Sequence, residues 1–250
     1  MKNRLSTILT FAFLLVGASL AQADQIVVFS TVAAKAAMEA IAPDFERESK
    51  HKVTLRFATA GELKTEIEKG AAFDVALLTA AADDDLIKQS KLAESSRVTV
   101  FKSGVGIAVK KGAAPAAITT SEALKTALVD AKSIALSTQG ASGPIMKKIF
   151  ERFGIVEAMA AKTVLVSGIT APEAVARNQA ELAFTQISEI LDTPGAQLVS
   201  PLPADVQVFS TFVAAIAAES KAGDAARGFL QALATPAARA QMKARGLEIE

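Results

Sequence analysis

The chain has 250 residues, with 27 Lys and Arg against 26 Asp and Glu, and its formal net charge is +1. This balance argues against nucleic-acid binding, which needs a basic patch, and no basic amphipathic stretch suggests a membrane surface. The absence of Cys excludes disulfides and thiolate sites, and a single His is too few for a zinc or manganese site.

The first 23 residues have the pattern of a secretory signal peptide. Lys2 and Arg4 precede an apolar run, Ile8–Leu20, and an Ala-Gln-Ala triplet ends at Ala23. A basic start, a short apolar region and an A-x-A site are typical of such signals, and the run is shorter than the roughly 20 residues of a membrane span. We expect cleavage after Ala23 and a soluble mature protein in a bacterial periplasm. An uncleaved anchor is the alternative.

Short apolar runs then alternate with helical patterns. The predicted strands are Ile26–Phe29, residues 53–57 and Phe73–Leu78. The predicted helices are residues 33–41, Glu62–Lys69 and Asp83–Gln89. Pro43 is expected to kink or break the first helix, because proline removes a helical hydrogen bond. This alternation predicts a parallel sheet with right-handed crossovers.

A long apolar stretch, Val98–Val109, is interrupted by Gly104 and Gly106, which suggests a passage between domains. A second alternating series follows. Its helices are predicted to start near Ser121, Gly143 and Pro172, and its strands are Ser133–Ser137, Thr163–Val166 and Leu182–Thr185. Residues 206–217 are again apolar and rich in strand formers, and two helices, Ala222–Ala234 and Pro236–Arg245, are predicted at the end.

The predicted fold is α/β with two lobes, each a mainly parallel sheet flanked by helices. Residues 24–105 and 207–250 form the first lobe, and residues 106–206 form the second. Two hinge crossings join them, one near Gly104–Gly106 and one near Val206–Phe209. Ligands of open α/β sheets bind beyond the carboxyl ends of the strands, so we expect the site between the lobes.

Five strand-to-helix junctions are rich in small polar residues. They are residues 30–31, 59–62, 139–144, 167–170 and 185–188. Each offers a hydroxyl or an amide together with the unpaired N–H groups of a first helical turn, which can hold an anion. The alternative is helix capping alone, because Thr59–Glu62 and Thr170–Glu173 have the capping-box spacing.

Four segments of the chain resemble the molybdate-binding proteins of ABC importers. They are Ile26–Met38 (IVVFSTVAAKAAM), Phe57–Gly70 (FATAGELKTEIEKG), Phe73–Thr79 (FDVALLT) and Val175–Ala183 (VARNQAELA). The resemblance spans nearly the whole mature chain in order. It implies a type II periplasmic binding protein fold, two lobes that close over a tetrahedral oxyanion, and an ABC permease as partner.

The resemblance also implies ligand-binding positions. Ala33 and Ala60 match two serines of the family, and Gln186 matches its tyrosine, so three side-chain donors are missing. Ser142 and Gly168 match the positions of backbone contacts. Ser30, Thr31 and Thr59 stand beside the lost serines and offer replacement hydroxyls. The changed donors favour a different or larger anion, such as a small organic acid, with molybdate and tungstate as alternatives.

Other charged residues give weaker evidence of ligand binding. Lys35, Arg56 and Arg177 are either ligand clamps or surface ions. Residues 83–85, three aspartates at a helix start, either bind a cation or complement the helix dipole. We therefore expect a monomeric binding protein with no metal, cofactor or catalytic residue. A scavenger or sensor that feeds no transporter is the alternative.

A hydrolase is the least favoured class. Residues 140–143 superficially resemble a nucleophile elbow, but the second glycine comes one residue too early for G-x-S-x-G. His51, the one possible imidazole base, is predicted at the start of a strand, away from the cleft.

Overall fold

A computed structural model describes residues 24–113 and 118–249. The predicted signal peptide lies outside these residues. The first part of the chain alternates strands and helices as predicted. Its strands are β1 (Gln25–Thr31), β2 (Lys52–Ala58) and β3 (Val75–Thr79), and its helices are α1 (Lys35–Ser49), α2 (Ala60–Glu68) and α3 (Ala80–Lys88). Strands β2, β1 and β3 lie side by side in parallel, which confirms the predicted topology.

The next strand, β4 (Val98–Lys110), takes part in both halves of the molecule. Its first half, to Gly104, pairs with a late strand of the chain, β9 (Phe209–Ile216). From Val105 onwards it pairs instead with strands of the middle of the chain. Gly106 at the change of partner makes room for neighbouring side chains, because a Cβ there would lie 2.7 Å from Leu198 Cδ1. The strand passes between two sheets, as the two glycines predicted.

The middle of the chain builds the second sheet. Its helices are α4 (Ser121–Asp130), α5 (Ser142–Phe153), α6 (Val156–Ala160), α7 (Ala171–Ala176) and α8 (Ile187–Leu191). Its strands are β5 (Ile134–Ser137), β6 (Thr163–Val166), β7 (Leu182–Gln186) and β8 (Ala196–Pro201). The chain then returns through β9 to the first sheet, and α9 (Gly223–Leu233) and α10 (Pro236–Lys243) follow.

The strand order is β2-β1-β3-β9-β4-β7-β5-β6, with β8 beside β4. Strands β6, β5 and β7 are parallel, as β2, β1 and β3 are, while β4, β8 and β9 pair antiparallel with their neighbours. Each sheet has its own buried apolar core. Two clusters draw on residues 26–101 and 212–247, and two others draw on residues 105–206. The predicted domain boundaries, near residues 105 and 207, remain a prediction that agrees with this division.

Pro43 does not break α1, which continues to Ser49, so that part of the expectation is wrong. The reason is packing, because Met38, Ile41 and Phe45 on either side of the proline are buried in the first core. Pro43 itself is exposed. Tertiary burial therefore outweighs the one helical hydrogen bond that proline removes.

Three short elements have no counterpart in the prediction, namely α6, α8 and β8. They have five or six residues, too few to show a helical or alternating period. In residues 24–113 and 118–249, no helix has the length and apolar character that a bilayer crossing requires.

Candidate ligand-binding site

The carboxyl ends of strands from both sheets meet around one small cavity. The first sheet contributes Thr31, Ala33, Thr59 and Ala60, and the second contributes Ser137, Gly140, Ala141 and Thr185. The cavity has a volume of about 10 Å³, which is close to the space of a single water molecule. No oxyanion fits there until the two sheets separate slightly.

Thr31 has an unpaired hydroxyl at this cavity. The residue is 3% exposed, and its Oγ1 has no hydrogen-bond partner among the described residues. Buried polar groups of native proteins are nearly always satisfied, so an unpaired hydroxyl beside a cavity points to a ligand atom as its partner.

Backbone amides supply further donors at the same place. Helix α5 begins at Ser142, and its N-cap residue, Ala141, provides no side-chain hydrogen bond. In the first turn Pro144 has no N–H and Gly143 N already donates to Gly140 O at 3.4 Å, so the N–H groups of Ala141 and Ser142 are the donors left at the positive end of the helix dipole. Helix α2 differs, because Thr59 and Glu62 form the predicted capping box there. Thr59 Oγ1 contacts Glu62 Oε2 at 2.8 Å, so this hydroxyl is already engaged.

A larger cavity of about 570 Å³ adjoins the small one. Val32, Thr59 and Glu189 line both cavities. Lys35 and Arg56 bring positive charge to the larger cavity. The described residues include no hydrogen-bond or ion-pair partner of Lys35, whereas Arg56 Nη2 lies 2.7 Å from Glu66 Oε1. Of the two described cations that line this cavity, Lys35 is therefore the one without a partner that could meet a ligand.

Glu189 is the site residue that sequence reasoning missed. It lies in the first turn of α8, and its Oε2 accepts a hydrogen bond of 2.7 Å from Thr185 Oγ1. Burial raises the pKa of Glu189 to about 7, and the hydrogen bond from Thr185 opposes this only partly. The sequence feature that could have identified Glu189 was its position just after the polar junction 185–188. An acidic residue at that position, however, is also typical of a helix start that complements the helix dipole.

The predicted ligand residues divide into three groups. Thr31, Ala33, Thr59 and Ala60 surround the small cavity, and Gly168 lines the larger one with Thr59. Ser30, Ser142 and Gln186 line neither cavity. Their side chains donate to Thr31 O, Phe184 O and Ser210 Oγ, respectively. The backbone of Ser142 still forms the start of α5, and a backbone contact to the ligand is the role that the resemblance implies for this residue.

The remaining candidates form structural contacts. Arg177 pairs with Glu173 at 3.3 Å on an exposed helix face. Asp83 and Asp84 pair with Arg97, and Asp85 lies 3.8 Å from Lys88, so these carboxylates meet cationic side chains. His51 precedes β2 and accepts a hydrogen bond from Asp24 N, whereas the other end of β2 reaches the cavities.

The two sheets touch directly beside the small cavity. Gly61 N donates to Gln139 O at 3.2 Å across the cleft. A Cβ at Gly61 would lie 2.8 Å from Gln139 Cβ and 2.9 Å from Gln139 O, so only glycine permits this contact. The described arrangement is therefore closed.

Comparison with known proteins gives one family. The profile described as bacterial extracellular solute-binding protein matches residues 26–248. An aconitate isomerase from Pseudomonas sp is 27% identical over 98% of this chain and 97% of its own length. A molybdate-binding protein from Azotobacter vinelandii is 32% identical over 68% of each chain.

Solved structures share the fold. The periplasmic molybdate-binding protein of Azotobacter vinelandii superposes with a TM-score of 0.77 and 19% identity, covering 90% of this chain and 99% of the other. The sulfate-binding protein of Mycobacterium tuberculosis H37Rv superposes with a TM-score of 0.74 and 15% identity, covering 90% of this chain and 86% of the other. These matches confirm the predicted two-lobed α/β fold and the resemblance to molybdate-binding proteins.

Proposed function

The chain belongs to the family of bacterial extracellular solute-binding proteins, and on this premise we propose that it captures a small organic anion for an ABC importer. Membership of an extracellular family implies export, and cleavage after Ala23 is part of the proposal. The observation that supports an organic ligand is size. The cavity of about 570 Å³ lies within the range of roughly 300–1,000 Å³ typical of small-molecule sites.

The donors around the two cavities suit an acid with two or more carboxylates. Once the sheets separate enough to admit it, one carboxylate meets the Thr31 hydroxyl and the free N–H groups at the start of α5. A second lies in the larger cavity beside Lys35. The acidic residues there are largely engaged already, since Glu62 and Glu173 belong to capping boxes and Glu66 pairs with Arg56.

A thermal-shift screen followed by calorimetry tests the proposal. Dicarboxylates and tricarboxylates are compared with molybdate, tungstate and sulfate on the mature protein. A ligand at about 100 times its Kd adds roughly 2.7 kcal/mol to the free energy of unfolding. Stabilisation by carboxylates but not by tetrahedral oxyanions is the expected result. Nanomolar molybdate binding by the wild type would overturn it.

We expect Lys35→Gln to weaken carboxylate binding about tenfold, because a hydrogen bond to a charged group contributes roughly 1.5–3 kcal/mol. The control is Lys243→Gln, which removes an exposed lysine of α10 that lines neither cavity. Isothermal titration calorimetry compares both with the wild type. Equal affinities for Lys35→Gln and the control would remove Lys35 from the site.

We expect Gly61→Ala to hinder closure of the two lobes. The new Cβ collides with Gln139 only in the closed state, and overpacking costs about 1–3 kcal/mol, so ligand affinity falls about tenfold or more. The melting temperature of the free protein stays the same or rises, since alanine favours helix over glycine. Gly228→Ala, where the nearest atom lies at 3.6 Å, is the matched control.

Small-angle scattering shows directly whether closure occurs. Ligand is expected to reduce the radius of gyration of the wild type and to do so less in Gly61→Ala, because a ligand that contacts both lobes favours the closed state. An identical radius with and without saturating ligand would contradict a site between hinged lobes.

A second candidate function is isomerisation of an unsaturated tricarboxylate. Glu189 favours it, because a carboxyl group with a pKa of about 7 beside a ligand cavity suits the removal and return of a proton. The relative described as an aconitate isomerase spans nearly the whole chain. Proton NMR of cis-aconitate incubated with the protein distinguishes the two functions. Conversion to the trans isomer that disappears in Glu189→Gln would support catalysis, and an unchanged spectrum would support binding alone.

A further inference from the structure

We propose that Glu189 binds the captured anion as a neutral carboxylic acid that donates a hydrogen bond, so that each anion is taken up together with one proton. This inference rests on the proposed function, because it concerns the same ligand and the same site. It adds a binding residue and makes ligand capture dependent on pH.

The position of Glu189 is the first observation behind this inference. Its side chain lines both cavities, so it stands between the carboxylate position at Thr31 and the larger space beside Lys35. Its Oε2 accepts from Thr185 Oγ1 at 2.7 Å. Thr193 Oγ1 donates to the backbone carbonyl of Glu189 at 2.7 Å, but among the described residues no other side chain bonds to its carboxyl group and no cation pairs with it.

The charge around Glu189 is the second observation. The other charged residues that line the larger cavity are Lys35, Arg56, Glu62, Glu66, Glu173 and Asp192. Acidic groups outnumber cations in this set, and Arg56 is already paired with Glu66. Lys35 lines the same cavity but forms no ion pair with Glu189, so among the described residues no salt bridge compensates an ionised Glu189.

An ionised Glu189 would repel the carboxylate of a ligand, because two like charges in a partly buried site interact strongly. A neutral carboxyl group reverses this effect, since its O–H donates to the anion. The bound anion in turn favours the protonated form of Glu189, because a nearby negative charge raises the pKa of a carboxyl group. Anion binding and proton binding at Glu189 therefore reinforce each other.

The direction of the pH effect follows from this coupling. Burial already raises the pKa of Glu189 to about 7 in the closed arrangement without ligand. Below this pH Glu189 is protonated and affinity is at its full value, and affinity is lost as the pH rises through it. With one coupled proton, affinity falls about fiftyfold between pH 7 and pH 9.

The test uses propane-1,2,3-tricarboxylate, whose own carboxylates are ionised across this range. Calorimetry on the wild type at pH 8, in two buffers of different ionisation enthalpy, is expected to show uptake of close to one proton per ligand. Glu189→Gln keeps a neutral donor at this position, so its affinity is expected to be independent of pH. The control Asp192→Asn removes an exposed acid from the same cavity and retains the pH dependence of the wild type.

The outcomes separate the inference from the proposed function. Tricarboxylate binding without proton uptake, or with the same pH dependence in Glu189→Gln as in the wild type, would overturn the role of Glu189 and leave the organic-anion site in place. Absence of binding by the wild type and by Glu189→Gln at every pH would overturn the proposed ligand class and this inference together.

Discussion

The double variant Ala33→Ser, Ala60→Ser is expected to bind molybdate about a hundredfold more tightly than the wild type. Both alanines line the small cavity beside Thr31, so the two added hydroxyls face the position of an anion. Each regained hydrogen bond to a charged group contributes about 1.5 kcal/mol or more, which is roughly tenfold in affinity.

Adding Gln186→Tyr restores the third donor that the resemblance implies, for a total of up to about a thousandfold if the gains add. Gln186 is 1% exposed and lines neither cavity, so a larger ring needs local repacking. The gains of neighbouring residues need not be additive.

Titration calorimetry with molybdate and sulfate measures these affinities. Ala36→Ser provides the control, since Ala36 lies on α1 but not at the small cavity. Unchanged molybdate affinity in the double variant would show that the small cavity is not where the oxyanion binds. Nanomolar affinity of the wild type would show that Thr31 and the backbone amides already replace the missing side chains.

The variant Arg97→Ala is expected to lose about 3–5 kcal/mol of the free energy of unfolding near pH 7.5, because it leaves a buried charge unpaired. The Asp83 side chain is 0% exposed, and Arg97 Nε lies 2.9 Å from its Oδ1. Neither carboxylate oxygen of Asp83 accepts a well-aligned hydrogen bond from the described residues. Arg97 is thus its main electrostatic support.

The sign of the pH effect follows from the raised pKa of Asp83. Burial raises this pKa to about 6, against the attraction of Arg97, which lowers it. Because the pKa is higher in the folded state than in the unfolded one, ionisation of Asp83 opposes folding. In the wild type that cost is absent below about pH 4 and grows as the pH rises towards 6. In Arg97→Ala the cost continues to grow at higher pH, because Arg97 no longer lowers the pKa of Asp83.

Chemical denaturation at pH 7.5 and at pH 4.5 measures both effects. The free energy of unfolding that Arg97→Ala loses is expected to be smaller at pH 4.5. It is also expected to be smaller when Arg97→Ala is combined with Asp83→Asn. Arg47→Ala is the control, since it breaks a 2.8 Å pair with Asp44 that is exposed on both sides and contributes about 1 kcal/mol or less. An equally small loss for Arg97→Ala would contradict a costly buried carboxylate at Asp83.

Much of the fold could be predicted from local sequence because its elements have strong local signals. Buried strands such as β3 are continuous apolar runs, and helices such as α2 carry their capping box in four consecutive residues. The long strand with Gly104 and Gly106 indicated the passage between two sheets. The prediction that Pro43 breaks α1 was wrong for the opposite reason, because burial of the neighbouring side chains outweighed the local tendency of proline to end a helix.

The site could be predicted only in part. Thr31, Ala33, Thr59 and Ala60 surround one cavity, since strand ends of a parallel sheet meet at one edge, and their role in ligand binding stays a prediction. The hydroxyl of Ser142 and the amide nitrogen of Gln186 instead donate to groups within the protein. A sequence shows which donors a junction contains but not which of them the fold already satisfies.

The sequence by itself thus determined the order of elements, the two-lobed fold and the sheet edge at which the candidate cavities lie. The tertiary structure decided the division of the cleft into two cavities, the contact of Gly61 with Gln139, the burial of Glu189 and the pairing of Asp83 with Arg97. The physical reason is distance along the chain. Local periodicity and capping act over a few residues, whereas desolvation and closure depend on side chains that only the folded chain brings together.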